Sequence, residues 1–426
     1  MSKSPSQTLK TPAIANGAKP RLAVDVGPLL ETFWTGIPVF TRRLVQALLA
    51  DGRVDLSYCF NLTELPAAKV HAALAMGTGA FLRHHYEAHA YASYRPVDTG
   101  APLLYPSNKK LAGVSPREAS VVHDISTLAM PENHDTANVD HHMDSLAQEL
   151  ASDELVLCAS EATQAALTTY FPSTAAKARV MHQYVDWPEG FALMDHNLPR
   201  PELGRYAVVV GTIEPRKNLS ILLHALSLPE LRDSDLKFVI IGKVGWLVEG
   251  FLEALTPAQR ERLIFTGFVS EFVKYRLIAH AEFMVFPSLY EGFGIPALEA
   301  LSLGKPVLAA RTSSFPEVIG AAGVYFDPLS VTEFASALAE IEAPARFAEL
   351  KAHTRAQAAQ FTPARMVAPV LEWLGVSAAP EEVPPASRSW SNSRRDAGGQ
   401  LNGNDAPFAS GSVESEVIVK HITAIG

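Results

Sequence analysis

Short apolar runs recur along this chain, each closed by glycine or a polar turn and followed by a stretch of helical periodicity. In the first half the runs go from Arg21 to Val26, Val54 to Phe60, Pro102 to Tyr105, Ala119 to His123 and Leu155 to Ala159. In the second half they go from Tyr206 to Gly211, Lys237 to Gly242, Leu263 to Val269, Phe283 to Phe286 and Val324 to Asp327. Several are continuously apolar and rich in β-branched residues, the pattern of strands buried on both faces of a parallel sheet. Between them the spacing turns helical: Phe40, Leu44 and Leu48 share one face of a predicted helix, with Arg42, Arg43 and Gln46 on a solvated face. Residues 66–95 read as helix and loop, Val331 to Ile341 as an amphipathic helix, and Pro363 to Leu374 as a last helix. Strands alternating with helices predict an α/β protein with parallel sheets. The segment 188–205 carries Pro188, Pro199, Pro201 and several charges, and reads as a linker between domains at 21–187 and 206–375.

A length of 426 residues agrees with two to three domains, each able to hold its own core. The formal charge of -9 supplies no general basic field, which argues against nucleic acid as a partner. Only Cys59 and Cys158 occur, each in an apolar run, which fits buried thiols in a reducing cytoplasm better than a disulfide framework. Residues 1–20 lack an apolar stretch and read as a disordered arm, not a signal peptide; 376–426 reads as a flexible tail in which the apolar run Val417 to Ile422 is a candidate docking segment. No run approaches the roughly 20 apolar residues of a membrane span. Any meeting with a membrane is expected at its surface.

The densest chemistry lies in 283–327, whose centre reads Pro287-Ser-Leu-Tyr-Glu291-Gly-Phe-Gly294-Ile-Pro296-Ala-Leu-Glu299-Ala. A strand, a glycine loop and a helix start follow in order. Gly292 and Gly294 allow close approach of backbone to a ligand, and a helix start offers unpaired N–H groups to an anion, so the loop suits a phosphorylated substrate. Glu299 in the first helical turn and Glu291 at the strand end are candidates to accept from sugar hydroxyls; alternatively Glu299 complements the helix dipole and Glu291 is solvated. A second candidate turn, Thr212-Ile-Glu214-Pro-Arg216-Lys217-Asn218, puts two cations at the head of a helix, unfavourable unless an anion lies between them. His123 and Asp124 close a strand at the carboxyl edge of the first sheet, where α/β proteins bind ligands. His134, His141 and His142 alternate with Asp135, Asp140 and Asp144 but lack the spacing of a known metal motif. Trp246 and Phe268, in turns after strands, suit either base stacking or packing.

Glu291-x7-Glu299, followed by Gly304-Lys-Pro-Val and Ser314-Phe-Pro-Glu317, resembles the signature of the retaining nucleotide-sugar glycosyltransferases of family 4. The resemblance is close in the second half of the chain and looser in the first. It implies the GT-B fold, two Rossmann-like doubly wound parallel-sheet domains facing a cleft. It also implies that Glu291 holds the hydroxyls of the transferred sugar, Glu299 the ribose diol, and His123 the far side of the sugar beside Asp124. Lys217 and Arg216 then face the diphosphate together with the amides of Gly292, Phe293, Gly294 and Ile295. Thr212 stands where many members have arginine, which leaves Arg216 as the candidate for the second charge. Gly36 and Asp124 line the acceptor side, with Pro38 where a second glycine is common. No metal or cofactor is implied beyond the nucleotide-diphosphate sugar itself, GDP-mannose being the first expectation. The implied acceptor is a saccharide or lipid-linked saccharide in polysaccharide biosynthesis, met by reversible association with the membrane surface. A non-catalytic nucleotide-sugar-binding protein and another GT-B enzyme such as an epimerase are the rival readings.

Overall fold

The computed structural model describes residues 18–32, 34, 36–89, 96–134, 136–188, 190–232, 234–245 and 255–377. Seven strands form the first sheet: β1 (Arg21–Asp25), β2 (Asp55–Phe60), β3 (Thr63–Leu65), β4 (Leu103–Tyr105), β5 (Glu118–Val122), β6 (Asp153–Cys158) and β7 (Ala178–Val180). Their order is β3-β2-β1-β4-β5-β6-β7, parallel throughout except for the β2–β3 hairpin at one edge. The second sheet is wholly parallel, with β8 (Tyr206–Val210), β9 (Lys237–Ile241), β10 (Leu263–Gly267), β11 (Met284–Phe286), β12 (Val307–Ala310) and β13 (Gly323–Phe326) in the order β10-β9-β8-β11-β12-β13. Both are doubly wound. The direction of winding reverses between β1 and β4 and again between β8 and β11, and such switch points open a crevice at the carboxyl ends of the strands.

The apolar runs become strands because both faces of each sheet are covered. Every residue of β8 is buried, with Ala207 and Val209 in one core cluster and Tyr206, Val208 and Val210 in the cluster on the opposite face. The strands not anticipated are β3, β7 and β12, of three or four residues, too short to establish a period. At the amino ends of β5 and β6 a fully buried Lys109 lies 2.8 Å from Glu118 and 2.6 Å from Asp153. This network lies at the end of the sheet away from the crevice.

Two segments tie the halves together. The expected linker carries a helix, Phe191–His196, whose Phe191 is buried in the second domain's core and whose Asp195 accepts from Arg276 Nε at 2.8 Å. The last helix, Pro363–Trp373, returns to the first domain, where Met366, Val367, Val370 and Leu371 share a core with Leu44 and Leu48. Contacts with the body continue past the expected boundary at 375: Val376 N–H donates to Leu371 O at 2.9 Å and Arg53 Nη1 to Ser377 O at 2.7 Å. The candidate docking run from Val417 to Ile422, like most of the N-terminal arm, lies outside the described residues. Among the described residues no helix is long and apolar enough to cross a membrane.

Candidate active site

At the end of β8 the chain passes Gly211 and Thr212 and makes a 3-10 turn, Pro215–Lys217. Asn218, left-handed at φ 53°, stops the turn, and its amide donates to Pro287 O at 3.1 Å and Pro328 O at 2.9 Å. This brace aims Lys217 across to the loop after β11, where its ammonium donates to Glu291 Oε1; Glu291 lies in that loop and not, as expected, at the strand end. Arg216 Nη1 lies 3.3 Å from the other oxygen of Glu291 and donates to Tyr290 O at 2.8 Å; Arg216 Nη2 sits 2.7 Å from Glu214. The two cations therefore share one carboxylate and are not the solvated surface pair that a helix start alone would allow. Burial works to raise the Glu291 carboxyl, and Lys217 and Arg216 overcome it, holding the group below the usual carboxylate range. Its backbone is pinned from the next loop: Glu291 N–H donates to Ser313 Oγ at 2.9 Å, and Ser314 Oγ donates to Glu291 O at 3.1 Å.

The glycine loop meets the other domain. A Cβ on Gly292 would fall 2.0 Å from the carbonyl oxygen of His123, and Thr163 Oγ1 of the first domain donates to Gly292 O at 3.1 Å. The close approach expected of Gly292 toward a ligand is thus, in this structure, an approach to the opposite sheet edge. Gly294, at φ 88°, turns the chain into the helix Ile295–Ser302 with Pro296 in its first turn. The side chain of Phe293 is buried at the junction of the domains, against Ala159 of the first and Leu298 and Val318 of the second; Ile295 is half-buried at the helix start. Glu299 is the fifth helical residue, past the first turn, which removes its expected pairing with the dipole. It is buried. Lys274 Nζ lies 2.8 Å and the Tyr275 hydroxyl 3.2 Å from Glu299 Oε1, while Oε2 has no hydrogen-bond partner among the described residues.

On the first sheet's edge, His123 Nε2 lies 2.8 Å from Pro106 O, and its ring stands edge-on to Phe40 at 4.6 Å. Burial lowers the imidazole's pKa, so it is neutral near pH 7. Asp124 accepts from Ser126 N–H at 2.9 Å and Ser126 Oγ at 2.7 Å; burial works to raise it, but Arg216 across the cleft keeps it low. Gly36 is the exposed first residue of the helix Gly36–Asp51. Asp25, at the end of β1, was not anticipated; burial pushes it up to about 6 although the Gly27 N–H and Lys110 act the other way. Its signal is a lone acid closing an apolar strand.

Arg42 and Arg43 do not form a solvated face. Arg43 is wholly buried between the domains, its Nε donating to Asp186 Oδ1 at 2.8 Å and its Nη2 3.9 Å from Glu299, while Arg42 reaches Glu271 of the second domain at 3.4 Å. The periodicity identified the core face correctly but not the second domain that covers the opposite one. Glu317 makes a further seam, accepting from Glu161 N–H at 2.9 Å at a helix start of the first domain and contacting His182. Trp246 and Asp135 lie outside the described residues, and Phe268 is exposed at the end of β10. Among the described residues no group of three or more His, Cys, Asp or Glu is arranged to hold a metal.

Residues 194–360 match the family model for glycosyl transferases group 1. O-antigen chain mannosyltransferase B of Escherichia coli is 33% identical over 225 residues, which cover 50% of this chain and 58% of that protein's length. Sucrose-phosphate synthase from Thermosynechococcus elongatus superposes over 80% of this chain and 95% of its own with a TM-score of 0.57 at 17% identity. Anabaena HepE, in complex with UDP and glucose, superposes over 84% of this chain and 100% of its own with a TM-score of 0.56 at 19% identity. Two doubly wound sheets facing a crevice give the chain the GT-B fold of these solved structures, and its residues 194–360, which carry Lys217, Glu291 and Glu299, match the model for glycosyl transferases group 1.

Proposed function

We propose that the chain is a retaining glycosyltransferase that moves a sugar, mannose first among the candidates, from a nucleotide-diphosphate donor to a saccharide or lipid-linked saccharide in polysaccharide biosynthesis. The observation that carries this reading is the convergence of Lys217 and Arg216 on Glu291 at the ends of β8 and β11, opposite His123 and Asp124. The relative named for O-antigen mannosyl transfer supports the sugar and the pathway class, and the fold shared with a UDP- and glucose-bound protein supports the donor class.

In the reaction the bond from the sugar's anomeric carbon to the leaving diphosphate breaks while the acceptor oxygen bonds to the same face of that carbon. The acceptor's proton passes to the departing phosphate oxygen, so no protein carboxylate needs to attack. Lys217 and Arg216, with the loop amides from Gly292 to Ile295, stabilise the negative charge that builds on the diphosphate. Glu291 holds the sugar hydroxyls, Glu299 the ribose diol, and neutral His123 the far side of the sugar, with Asp124 and Gly36 on the acceptor side. Thr212 lines the donor turn without charge. The domain contact at Gly292 excludes water when the cleft is shut, which protects the donor from hydrolysis. A lipid-linked acceptor would be met at the membrane surface through reversible association.

The test is incubation of purified protein with GDP-mannose and a panel of other nucleotide sugars, with lipid-linked and lipid-free saccharide acceptors, and assignment of the product's anomeric configuration by NMR. An α-linked product with release of GDP is expected, faster on the lipid-linked acceptor. An inverted linkage overturns the retaining mechanism, and tight donor binding with no transfer or hydrolysis favours the non-catalytic reading.

A further inference from the structure

Arg43 enters the site from the wrong domain for a donor residue. It projects from the helix Gly36–Asp51 of the first domain, yet of its neighbours Tyr275 and Glu299 belong to the second domain and Asp186 lies just before the linker. Its Nε binds Asp186 at 2.8 Å, its Nη2 lies 3.4 Å from the Tyr275 hydroxyl, and the same nitrogen is 3.9 Å from Glu299 Oε1. With Lys274 and Tyr275, this makes three groups gathered around one oxygen of Glu299, while Oε2 remains without a partner. Arg43 Nη1 is likewise buried without one among the described residues. A fully buried guanidinium with an unmatched donor is a poor device for stability alone, since apolar packing of the same volume usually serves as well or better.

We propose that Arg43 is a donor-positioning residue that acts through Glu299: delivered when the domains close, it fixes Oε1 so that Oε2 is the oxygen presented to a vicinal diol, and it thereby couples donor affinity to closure. The proposal rests on the reading of Glu299 as the ribose carboxylate. Opening the cleft withdraws one of the three groups that orient Glu299, so the open form binds the nucleotide more weakly than the closed form. By linkage, the nucleotide must favour closure by the same factor.

Calorimetry on the full chain separates the two readings. GDP, UDP, ADP and CDP are titrated against wild type, and the tightest binder is repeated as its 2′,3′-dideoxy form. Wild type is expected to prefer the ribo form by about tenfold or more, and Glu299→Gln to erase that preference. If wild type binds none of the four, or Glu299→Gln leaves the preference intact, the ribose assignment falls and this proposal with it. If those results hold, Arg43→Lys, which keeps the charge but loses the planar fork, is expected to weaken the ribo form about tenfold and leave the dideoxy form unchanged. Arg43→Lys with Glu299→Gln should bind no more weakly than Glu299→Gln alone. Equal weakening of both nucleotides, wild-type binding of both, or additive loss in the double variant each overturns the role of Arg43 while leaving that of Glu299 standing.

Discussion

The two sheet edges that face each other across the crevice share a topology and differ in their chemistry. The edge of the second sheet holds fixed cations, Lys217 and Arg216, that keep Glu291 ionised in spite of burial. The edge of the first sheet near the crevice presents Asp25, neutral His123 and Asp124; the charge that keeps Asp124 ionised comes from Arg216 on the other side. The difference teaches that a doubly wound edge is a neutral frame and that a few side chains decide what it can hold. Mobile cations would have to be organised during the reaction, whereas cations already braced against a carboxylate cost little further reorganisation where negative charge develops. An edge without such cations suits an uncharged hydroxyl.

The largest expected effect comes from removing that asymmetry. Lys217→Gln should lower kcat/KM by about a hundredfold to a thousandfold, the scale of a lost transition-state donor, with the fold retained by circular dichroism. Steady-state kinetics with the best donor is the measurement, and a loss below about threefold would mean that charge at this edge is not what the reaction uses.

Next comes a split between the two glutamates. In the proposed reaction Glu291 adjoins the sugar, where positive character develops only during transfer, so Glu291→Gln is expected to act chiefly on kcat. The proposed role of Glu299 is to bind a part of the donor that does not change, so Glu299→Gln should chiefly raise donor KM, by about tenfold to a hundredfold. Unaltered turnover in the first variant, or unaltered KM in the second, would exchange or dissolve these roles.

The smallest effect concerns stability at the first edge. Asp25 has its pKa raised from 3.8 to about 6 by burial, so the folded state holds a proton that the unfolded chain has released between these values. Stability therefore falls as pH rises through that window, and the full cost, on the order of 1–3 kcal/mol, stands above it. Asp25→Asn, which can still accept from the Gly27 N–H, is expected to raise the melting temperature at pH 7.5 and leave it unchanged at pH 3.5. Glu291 runs the other way: its depressed pKa makes its contribution present at neutral pH and lost as pH falls through its folded value. Melting curves that shift equally at both pH values in Asp25→Asn would show that the carboxyl is not burdened by burial.

What could be read from the sequence follows the range of the interactions. The long buried strands and the strand–loop–helix around Gly294 are local patterns, and the structure reproduces them with small shifts at the ends. The core helix face of Phe40, Leu44 and Leu48 was legible for the same reason. Arg43 was not, because its partners lie 143 to 256 positions further along the chain and a periodic pattern has no means of announcing a second body that covers the opposite face. The contact of Gly292 with the His123 carbonyl escaped for a related reason: glycine signals a close approach but not to what. Short edge strands such as β3 and β7 escaped because three residues are compatible with almost any backbone.

The return of Pro363–Trp373 to the first domain also bears on how the polypeptide is made. Synthesis proceeds from the amino end and domains commonly fold as they emerge, but here the first core is completed by Met366, Val367, Val370 and Leu371, which leave the ribosome after the whole of the second sheet. Until they arrive, the groove beside Leu44 and Leu48 is an apolar surface without its cover. Order of manufacture and order of completion are therefore reversed: the half translated second can close its own sheet first, and the half translated first must wait until Pro363–Trp373 has emerged.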